Sequence, residues 1–197
     1  MSDAFLDQLR AIGALKRGHF LLASGRHSDQ YVEKFDLLRN PRATEVACRS
    51  LVEKLGDDID VDLVVGPTTG GILLAFEIGR QLGLPAAYAE RASEGSSERA
   101  FKRGTAISPG TRVLLVDDIL TTGGSIRETQ ATLERTGAIA RTIAVLVDRS
   151  GGSVEFGPPL VPLASLSIDT WPADECPLCR AGQPLTRPGS TATPGRG

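Results

Sequence analysis

The chain has 197 residues and a mass of 20.8 kDa, enough for one domain with a buried core and a small appended subdomain. Hydrophobic residues make up 41% and charged residues 23%, and the formal charge of -2 excludes a basic field over the whole surface, so any anion site must be local. No apolar run reaches the roughly 18 to 20 residues of a membrane span, and the first residues do not resemble a signal peptide. With three cysteines, an odd number, we expect a cytoplasmic protein with reduced thiols.

The first 40 residues are expected to form a helix followed by a hairpin. Apolar residues recur at spacings of three and four over residues 3–16, which is the period of a helix with one buried face. Two short strands, over residues 20–25 and 30–35, then flank a turn. We interpret residues 1–40 as a small N-terminal subdomain.

From residue 40 onward, strands and helices alternate. Asn40 and Pro41 fit the N-cap and first position of a helix that ends at Gly56. Short apolar runs at 62–65, 85–89, 113–116 and 143–147 then alternate with helical stretches. Strands that are apolar throughout are typical of a parallel sheet covered on both faces, so we predict an α/β domain over residues 41–150.

Two segments do not fit this alternation. Residues 90–110 are polar and lack apolar periodicity, which favours a functional lid or a disordered loop over a packed segment. After residue 150, proline and glycine recur, so we expect residues 151–187 to form a C-terminal extension and 188–197 a disordered tail.

The strongest chemical signal is the stretch VLLVDDILTTGGS at residues 113–125. A buried strand carries two adjacent carboxylates toward its carboxyl end, where ligands bind in open α/β sheets. The loop that follows suits a phosphate, because glycines let the backbone approach, hydroxyls donate and a helix begins there. Carboxylates would repel a phosphate unless they face hydroxyls or a metal. A ribose diol next to a 5-phosphate suits both the acid pair and the loop. The candidate residues are Asp117, Asp118, Thr121, Thr122, Gly123, Gly124 and Ser125. A bland Asp-Asp turn with a glycine-rich helix cap is the alternative.

A second glycine-rich loop, residues 66–71, also follows a strand and precedes a helix. Its backbone N–H groups could bind pyrophosphate, with Thr68, Thr69 and Gly70 as the candidate residues. A generic strand-to-helix turn explains the same pattern equally well.

Residues 113–125 resemble the signature with which type I phosphoribosyltransferases bind phosphoribosyl pyrophosphate (PRPP), and the resemblance extends over most of residues 3–150. It implies an α/β fold with a central, mostly parallel sheet flanked by helices, and a small hood built from the N-terminal and C-terminal segments. It also implies Asp117 and Asp118 at the ribose hydroxyls, residues 121–125 around the 5-phosphate and residues 68–70 at the pyrophosphate. Some orotate-specific members carry lysine where Gly70 stands, so backbone groups alone must serve here.

The hairpin LASGRHSDQY, residues 22–31, is similar to the base-binding element of orotate phosphoribosyltransferases. The resemblance implies that Ser24, Gly25, Arg26 and Thr121 line the base pocket and that Arg149 binds the orotate carboxylate, for which a guanidinium offers bidentate geometry. An ordinary hairpin turn and an ordinary strand-end arginine are the alternatives. Many members have lysine where this chain has Ala23, which is a departure from the pattern.

The lid also departs from the family pattern. Arg91 corresponds to the family's first lid arginine, Lys102 is the candidate for its lid lysine, and Arg103 is a further PRPP-binding candidate. The resemblance implies catalysis by Asp117 and Asp118 together with Arg91 and Lys102. It further implies Mg2+ held mainly by PRPP and water, with no protein ligand assigned, and a homodimer in which the lid of one subunit reaches the site of its partner.

Two other functions remain open. A purine phosphoribosyltransferase, acting on adenine, xanthine or hypoxanthine, would keep the PRPP motif but usually lacks the Ser-Gly hairpin. A regulator that binds PRPP would predict a helix-turn-helix or a basic face, and 22 basic against 24 acidic residues indicate neither.

The pair Cys176-x-x-Cys179 is a separate feature near the C-terminus. Zinc needs four ligands, no second cysteine pair is present, and Cys48, His19 and His27 are scattered along the sequence. We therefore expect a small turn packed against Trp171 rather than a metal site within one chain. A metal or redox role, with two chains each donating a pair, is the alternative.

Overall fold

The computed structural model describes residues 2–188, which form a large, mostly parallel sheet flanked by helices and a smaller antiparallel sheet. The elements in chain order are α1 Ser2–Ala11, β1 Leu15–Leu21, β2 His27–Val32, α2 Lys34–Leu38, α3 Pro41–Leu55, β3 Leu63–Pro67, α4 Gly70–Leu82, β4 Ala86–Arg91, β5 Arg99–Ala100, β6 Arg112–Leu120, α5 Gly124–Thr136, β7 Ile139–Asp148, β8 Leu160–Ser165, β9 Thr170–Trp171 and α6 Pro177–Arg180. Within this range no helix combines the length and the apolar character that crossing a membrane requires.

The large sheet has the strand order β5-β4-β3-β6-β7-β8, and all its pairs are parallel except β4 with β5. From β3 the chain crosses to β4 on one side and then returns to β6 on the other. The carboxyl ends of β3 and β6 therefore flank a topological switch point, where open α/β sheets bind ligands. The predicted α/β class with a mostly parallel central sheet is confirmed.

The core lies on both faces of this sheet, because successive side chains of the buried strands point to opposite sides. On β6, Leu114 and Val116 belong to the apolar cluster that includes α1, α3 and α4, while Val113 and Leu115 belong to the cluster that includes α5. All four are fully buried. This two-sided burial explains why the strands read as continuous apolar runs.

The smaller sheet, here called the hood, consists of β1, β2 and β9. Its strands are antiparallel, and Ser28 of β2 pairs with Thr170 of β9, from the opposite end of the chain. Phe20 also forms an isolated bridge with Thr186. The hood therefore joins N-terminal and C-terminal segments, as the resemblance implied.

The boundaries of the N-terminal elements differ from the prediction. The first helix ends at Ala11 rather than 16, because Gly13 adopts a left-handed φ of 73° and the chain turns there into β1. Phe35, predicted in a strand, lies in α2, whose first turn is capped by the Glu33 side chain accepting from the Phe35 N–H. The helix from Pro41 to a cap at Gly56 agrees with the prediction, and the Asn40 side chain accepts from the Ala43 N–H at 3.1 Å.

The segment 151–187, predicted as a single extension, is divided between the two sheets. β8 pairs with β7 as an edge strand of the large sheet, so the α/β core continues to Ser165 rather than ending at 150. Pro162 makes residues 160–165 a poor strand by sequence criteria. An edge strand tolerates proline because one of its sides makes no hydrogen bonds to another strand. The predicted tail over 188–197 lies outside the described residues except for Pro188.

Part of the predicted lid, residues 90–110, is packed rather than open. β4 extends to Arg91 and pairs with β5, and Arg99 is only 4% exposed. The expectation of an unpacked segment is therefore wrong at β5. The polar composition of the segment gave no sign of this packing, because the buried side chain, Arg99, is charged.

The expectation that His19 and His27 lie apart from the cysteine pair is also wrong. Cys176 caps the short helix α6, and the ligand atoms of His19, His27, Cys176 and Cys179 all lie within 4.8 Å of one another. The two histidines come together because they lie on paired strands of the hood.

Candidate functional site

The two predicted acids lie near the end of β6, and both are buried. The Asp117 carboxylate accepts the Ser125 hydroxyl at 2.6 Å and the Asp118 N–H at 2.9 Å. Burial raises the pKa of Asp117 to about 6, with repulsion from Asp118 adding to the rise and the Ser125 hydrogen bond opposing it. A carboxylate held this way presents an acceptor that is already oriented.

Asp118 points to the opposite side of the strand, toward α2 and the loop after β3. The Lys34 ammonium lies 2.9 Å and 3.2 Å from its two carboxylate oxygens, and the Ile119 N–H donates to it at 2.7 Å. The sequence analysis assigned no role to Lys34. No local signal marks it, because its partner lies 84 residues later in the chain.

The hydroxyl-rich loop between β6 and α5 has the predicted form. Gly123 has a left-handed φ of 76°, and a Cβ placed there would lie 2.8 Å from the Phe156 ring. Arg127 donates to the Thr122 carbonyl at 2.8 Å and so holds the loop from the helix side. Thr121 and Thr122 are exposed and precede the start of α5, where N–H groups favour anions.

The second glycine-rich loop, after β3, lies directly beside the acid pair. A Cβ built on Gly70 would be 1.8 Å from an Asp118 carboxylate oxygen, so the absence of a side chain lets this loop contact the acid. A Cβ on Gly66 would meet the Gly71 carbonyl oxygen at 2.1 Å. The structure thus brings the predicted sugar-binding and pyrophosphate-binding loops together.

Arg99 supports the second loop from behind. Its guanidinium pairs with Glu128 of α5 at 2.9 Å and donates to the Ala89 carbonyl at 3.2 Å and the Thr68 hydroxyl at 3.3 Å. No role for Arg99 was predicted from the sequence. In the structure it connects β5, α5 and the loop after β3, which makes it a positioning residue.

An open cavity of about 680 Å³ lies next to the hydroxyl-rich loop. Ser24 and Tyr31 of the hood line one side, Thr121 and Arg149 line the side formed by the large sheet, and Thr170 lines it as well. Desolvation by burial raises the pKa of Tyr31, which keeps its hydroxyl protonated. The predicted base-pocket residues Ser24, Thr121 and Arg149 are therefore brought together.

Arg149 is the main polar feature of this cavity. Its Nε is buried and has no hydrogen-bond partner among the residues that the structure describes. Burial lowers the pKa of Arg149, while Tyr31 opposes the shift. A buried guanidinium donor without an acceptor is costly, and an anionic ligand in the cavity would supply one.

Other predicted residues take different positions. The Arg26 guanidinium donates to the Thr170 hydroxyl and carbonyl at 2.9 Å and 2.6 Å, so it ties the hairpin to β9 and is not among the residues that line the cavity. Gly25 has a φ of 79° and forms the hairpin turn. Their roles in the base pocket stay predictions.

The predicted lid cations contact the lid itself. Arg91 donates to the Ser96 carbonyl, Lys102 donates to the Arg91 carbonyl at 2.8 Å, and Arg103 pairs with Glu90 at 3.5 Å. None of the three cations lines the cavity beside Thr121. Their catalytic and PRPP-binding roles stay predictions.

Comparison with known proteins agrees with this geometry. Residues 36–156 match the Phosphoribosyl transferase domain family. The chain is 40% identical over 188 residues to an orotate phosphoribosyltransferase of Caldanaerobacter subterraneus, covering 95% of this chain and 97% of the relative, and 43% identical over 178 residues to one of Carboxydothermus hydrogenoformans, covering 90% and 92%. The crystal structure of orotate phosphoribosyltransferase from Aeropyrum pernix superposes with a TM-score of 0.70 at 34% identity, covering 81% of this chain and 92% of that one. With its acid pair, its two glycine-rich loops and its full-length relatives in agreement, the chain belongs to the orotate phosphoribosyltransferase family of phosphoribosyltransferases.

Proposed function

We propose that this protein transfers ribose 5-phosphate from PRPP to orotate, giving orotidine 5'-monophosphate and pyrophosphate in the biosynthesis of UMP. The observation that carries the proposal is the grouping of the site: the hydroxyl-rich loop that follows the acid pair opens onto a cavity lined by Arg149, whose buried Nε has no hydrogen-bond partner among the described residues. The names of the full-length relatives support orotate as the base.

On the PRPP side, the two carboxylates accept hydrogen bonds from the ribose hydroxyls. Asp117 is oriented for this by Ser125 and Asp118 by Lys34. Residues 121–125 bind the 5-phosphate through hydroxyls and N–H groups, and residues 68–70 offer backbone groups to the pyrophosphate.

On the base side, Arg149 pairs with the orotate carboxylate, and Ser24 and Thr121 contact the ring edges. A ring nitrogen then donates its electron pair to C1 of the ribose and gives up its proton, while the C1–O bond breaks and its electrons leave with pyrophosphate. Holding PRPP and orotate in line accelerates the reaction, and no covalent intermediate on the protein is required.

Mg2+ is the proposed cofactor, and it neutralises charge on the leaving pyrophosphate when bound. Carboxylate oxygens are ligands that this ion accepts, but those of Asp117 and Asp118 are already engaged by Ser125, Lys34 and backbone N–H groups. The residues therefore fit an ion held through oxygens of PRPP and water rather than by direct protein ligands.

Closure of the lid and assembly into a homodimer complete the proposal. Arg91, Lys102 and Arg103 lie on one segment, so movement of that segment would deliver several cations to the leaving group and exclude water. In the homodimer the lid of one subunit serves its partner's site, as the resemblance implies, and we place the enzyme in the cytoplasm.

The proposal is tested by offering purified protein PRPP, Mg2+ and one base at a time, with orotate loss followed by absorbance. Orotate should turn over, whereas adenine, xanthine and hypoxanthine should not. Arg149→Lys should raise KM for orotate roughly tenfold or more, since a charge-assisted bidentate contact contributes about 1.5 to 3 kcal/mol. KM for PRPP should change less than about threefold. Arg141→Lys, at an exposed arginine paired with Asp60, is the matched control.

Three outcomes would contradict the proposal. Turnover of a purine without orotate would assign the site to a different base. Tight PRPP binding without turnover of any base would favour a regulatory protein. Equal effects of Arg149→Lys and Arg141→Lys on orotate KM would remove Arg149 from the base pocket.

A further inference from the structure

We propose that His19, His27, Cys176 and Cys179 form a structural zinc site within one chain, which fastens the hood together. His19 lies on β1, His27 begins β2, Cys176 is the N-cap of α6 and Cys179 lies within α6. Their ligand atoms are mutually within 4.8 Å, although the pairs are separated by about 150 residues of sequence. Cysteine and histidine in a two-plus-two set are a common ligand combination for structural zinc.

The separations agree with a tetrahedral ion. Three of the four nitrogen–sulfur distances are 3.3 Å for His27 Nδ1 with Cys179 Sγ, and 3.4 Å and 3.7 Å for His19 Nε2 with Cys176 and Cys179 Sγ. Bonds of about 2.0 to 2.1 Å to nitrogen and about 2.3 Å to sulfur at tetrahedral angles require nitrogen–sulfur edges of about 3.6 Å. The nitrogen–nitrogen distance of 2.9 Å must lengthen by about 0.4 Å to match the same geometry.

The histidine orientation is fixed by a contact outside the cluster. His19 Nδ1 lies 2.9 Å from the Gln183 carbonyl oxygen, so this nitrogen donates and the Nε2 lone pair faces the cluster. Zinc-bound histidines are typically held by such a contact through the second ring nitrogen. His19, His27 and Cys176 are at most 5% exposed, while Cys179 is exposed and provides an entry path for the ion.

The four groups contact one another directly, with His19 Nε2 2.9 Å from His27 Nδ1. They are polar or polarisable atoms pointing at a common centre, whereas a packed apolar cluster would need none of their lone pairs. Cys48 offers a contrast within the chain, since it is buried among apolar side chains and burial raises its pKa to about 12. That cysteine has the features of a packing residue, whereas the sulfurs of Cys176 and Cys179 contact histidine nitrogens.

The site would determine the position of one wall of the cavity. The ion would add to the contacts that already join these segments: the pairing of β2 with β9, backbone hydrogen bonds of Thr186 with His19 and Leu21 at 2.8 Å and 2.9 Å, and the contacts of Arg26 with Thr170. Ser24 and Thr170, which line the cavity, are on the two segments that the ion would connect. This consequence for orotate binding rests on the proposed function, whereas metal binding itself does not.

The direct test is metal content. Protein purified in reducing, chelator-free buffer should carry about one zinc per chain by elemental mass spectrometry, and Cys179→Ser and His27→Gln should each lower the bound zinc roughly tenfold or more at equal free zinc, since losing one of four ligands weakens the site. Cys48→Ser is the matched control and should retain the full amount. Apo protein titrated with Co2+ should show thiolate-to-cobalt charge-transfer and tetrahedral ligand-field bands that saturate at one equivalent.

Several results would overturn the site. Wild-type protein that is folded by circular dichroism yet carries less than about a tenth of an equivalent of zinc and gives no cobalt bands would refute it. Saturation at half an equivalent would show that two chains share an ion, and a Cys176–Cys179 disulfide isolated under reducing conditions would show a redox pair instead. Equal zinc loss in Cys48→Ser would show that the effect is not local.

The link to substrate binding has its own readout. Stripping the ion from the wild-type enzyme should raise KM for orotate about threefold to tenfold while KM for PRPP stays within about twofold, because the hood contributes to the base side of the cavity. Re-addition of zinc should restore it. If the protein acted on another base, the zinc stoichiometry and cobalt spectrum would be unchanged, so failure of the proposed function and failure of the metal site are separable.

Discussion

Asp117→Asn should make the protein more stable at neutral pH while disabling the site. In the folded protein the pKa of Asp117 is about 6, against 3.8 for an ordinary aspartate. The pKa is therefore about 2 units higher than in the unfolded chain, and ionising Asp117 destabilises the folded state. At about 1.4 kcal/mol per unit this is at most about 3 kcal/mol above pH 7. Asparagine has the same shape and can still accept a hydrogen bond from either the Ser125 hydroxyl or the Asp118 N–H. We therefore expect the free energy of unfolding to rise by about 1 to 3 kcal/mol.

The pH dependence of this gain has a definite sign. Between about pH 4 and pH 6 the folded protein binds the Asp117 proton and the unfolded chain does not, so the wild-type free energy of unfolding falls as pH rises through this window. The variant lacks this group. The stability difference between variant and wild type should therefore be near zero below pH 4, grow through the window and level off above pH 7.

The assay is urea unfolding of both proteins from pH 4 to pH 8, with the rate of orotidine monophosphate formation measured in parallel. Activity of the variant should fall roughly tenfold to a hundredfold, because a charged acceptor for a ribose hydroxyl is lost. Asp62→Asn is a control of opposite sign, because hydrogen bonds from Arg112 hold the pKa of Asp62 well below its usual range. A variant of Asp117 that is less stable at pH 7.5, or a difference that does not vary with pH, would refute the reasoning.

Three further substitutions test other parts of the site. Lys34→Met should raise KM for PRPP by about tenfold, because Asp118 loses the cation that holds it at 2.9 Å, and steady-state kinetics would measure this. Gly123→Ala should lower the free energy of unfolding by about 1 to 3 kcal/mol in urea titrations, since its Cβ would meet Phe156 at 2.8 Å with φ at 76°. Arg99→Lys should lower kcat/KM for PRPP by about threefold or more, measured against wild type, because a lysine cannot make all three contacts of the guanidinium.

Each of these has a specific contrary result. An unchanged KM for PRPP in Lys34→Met would mean that Asp118 needs no cation to bind the ribose. Wild-type stability in Gly123→Ala would show that the loop can move away from Phe156 at no cost. Wild-type kinetics in Arg99→Lys would show that the loop after β3 is held without the guanidinium.

The local chemistry of the PRPP site was predictable from sequence because it is contiguous. Thirteen residues in a row specify a buried strand, two acids and a hydroxyl-rich turn, and the structure places Asp117, Asp118 and the loop as expected. Helix α3 was equally predictable, since its N-cap Asn40 and its end at Gly56 are local signals. Edge strand β8 was missed because a proline in a half-buried run obscures the apolar pattern.

Neighbouring residues were enough to predict the fold class, the acid pair and the two glycine-rich loops, because propensity, apolar period and motif order are local signals. The folded chain alone reveals that Lys34 pairs with Asp118, that Arg26 binds Thr170, and that His19 and His27 meet Cys176 and Cys179. These contacts join residues 84 to 160 positions apart. Such pairs form because the crossover order of the strands brings distant segments together, and that order is fixed by the packing of the whole chain rather than by any short stretch of it.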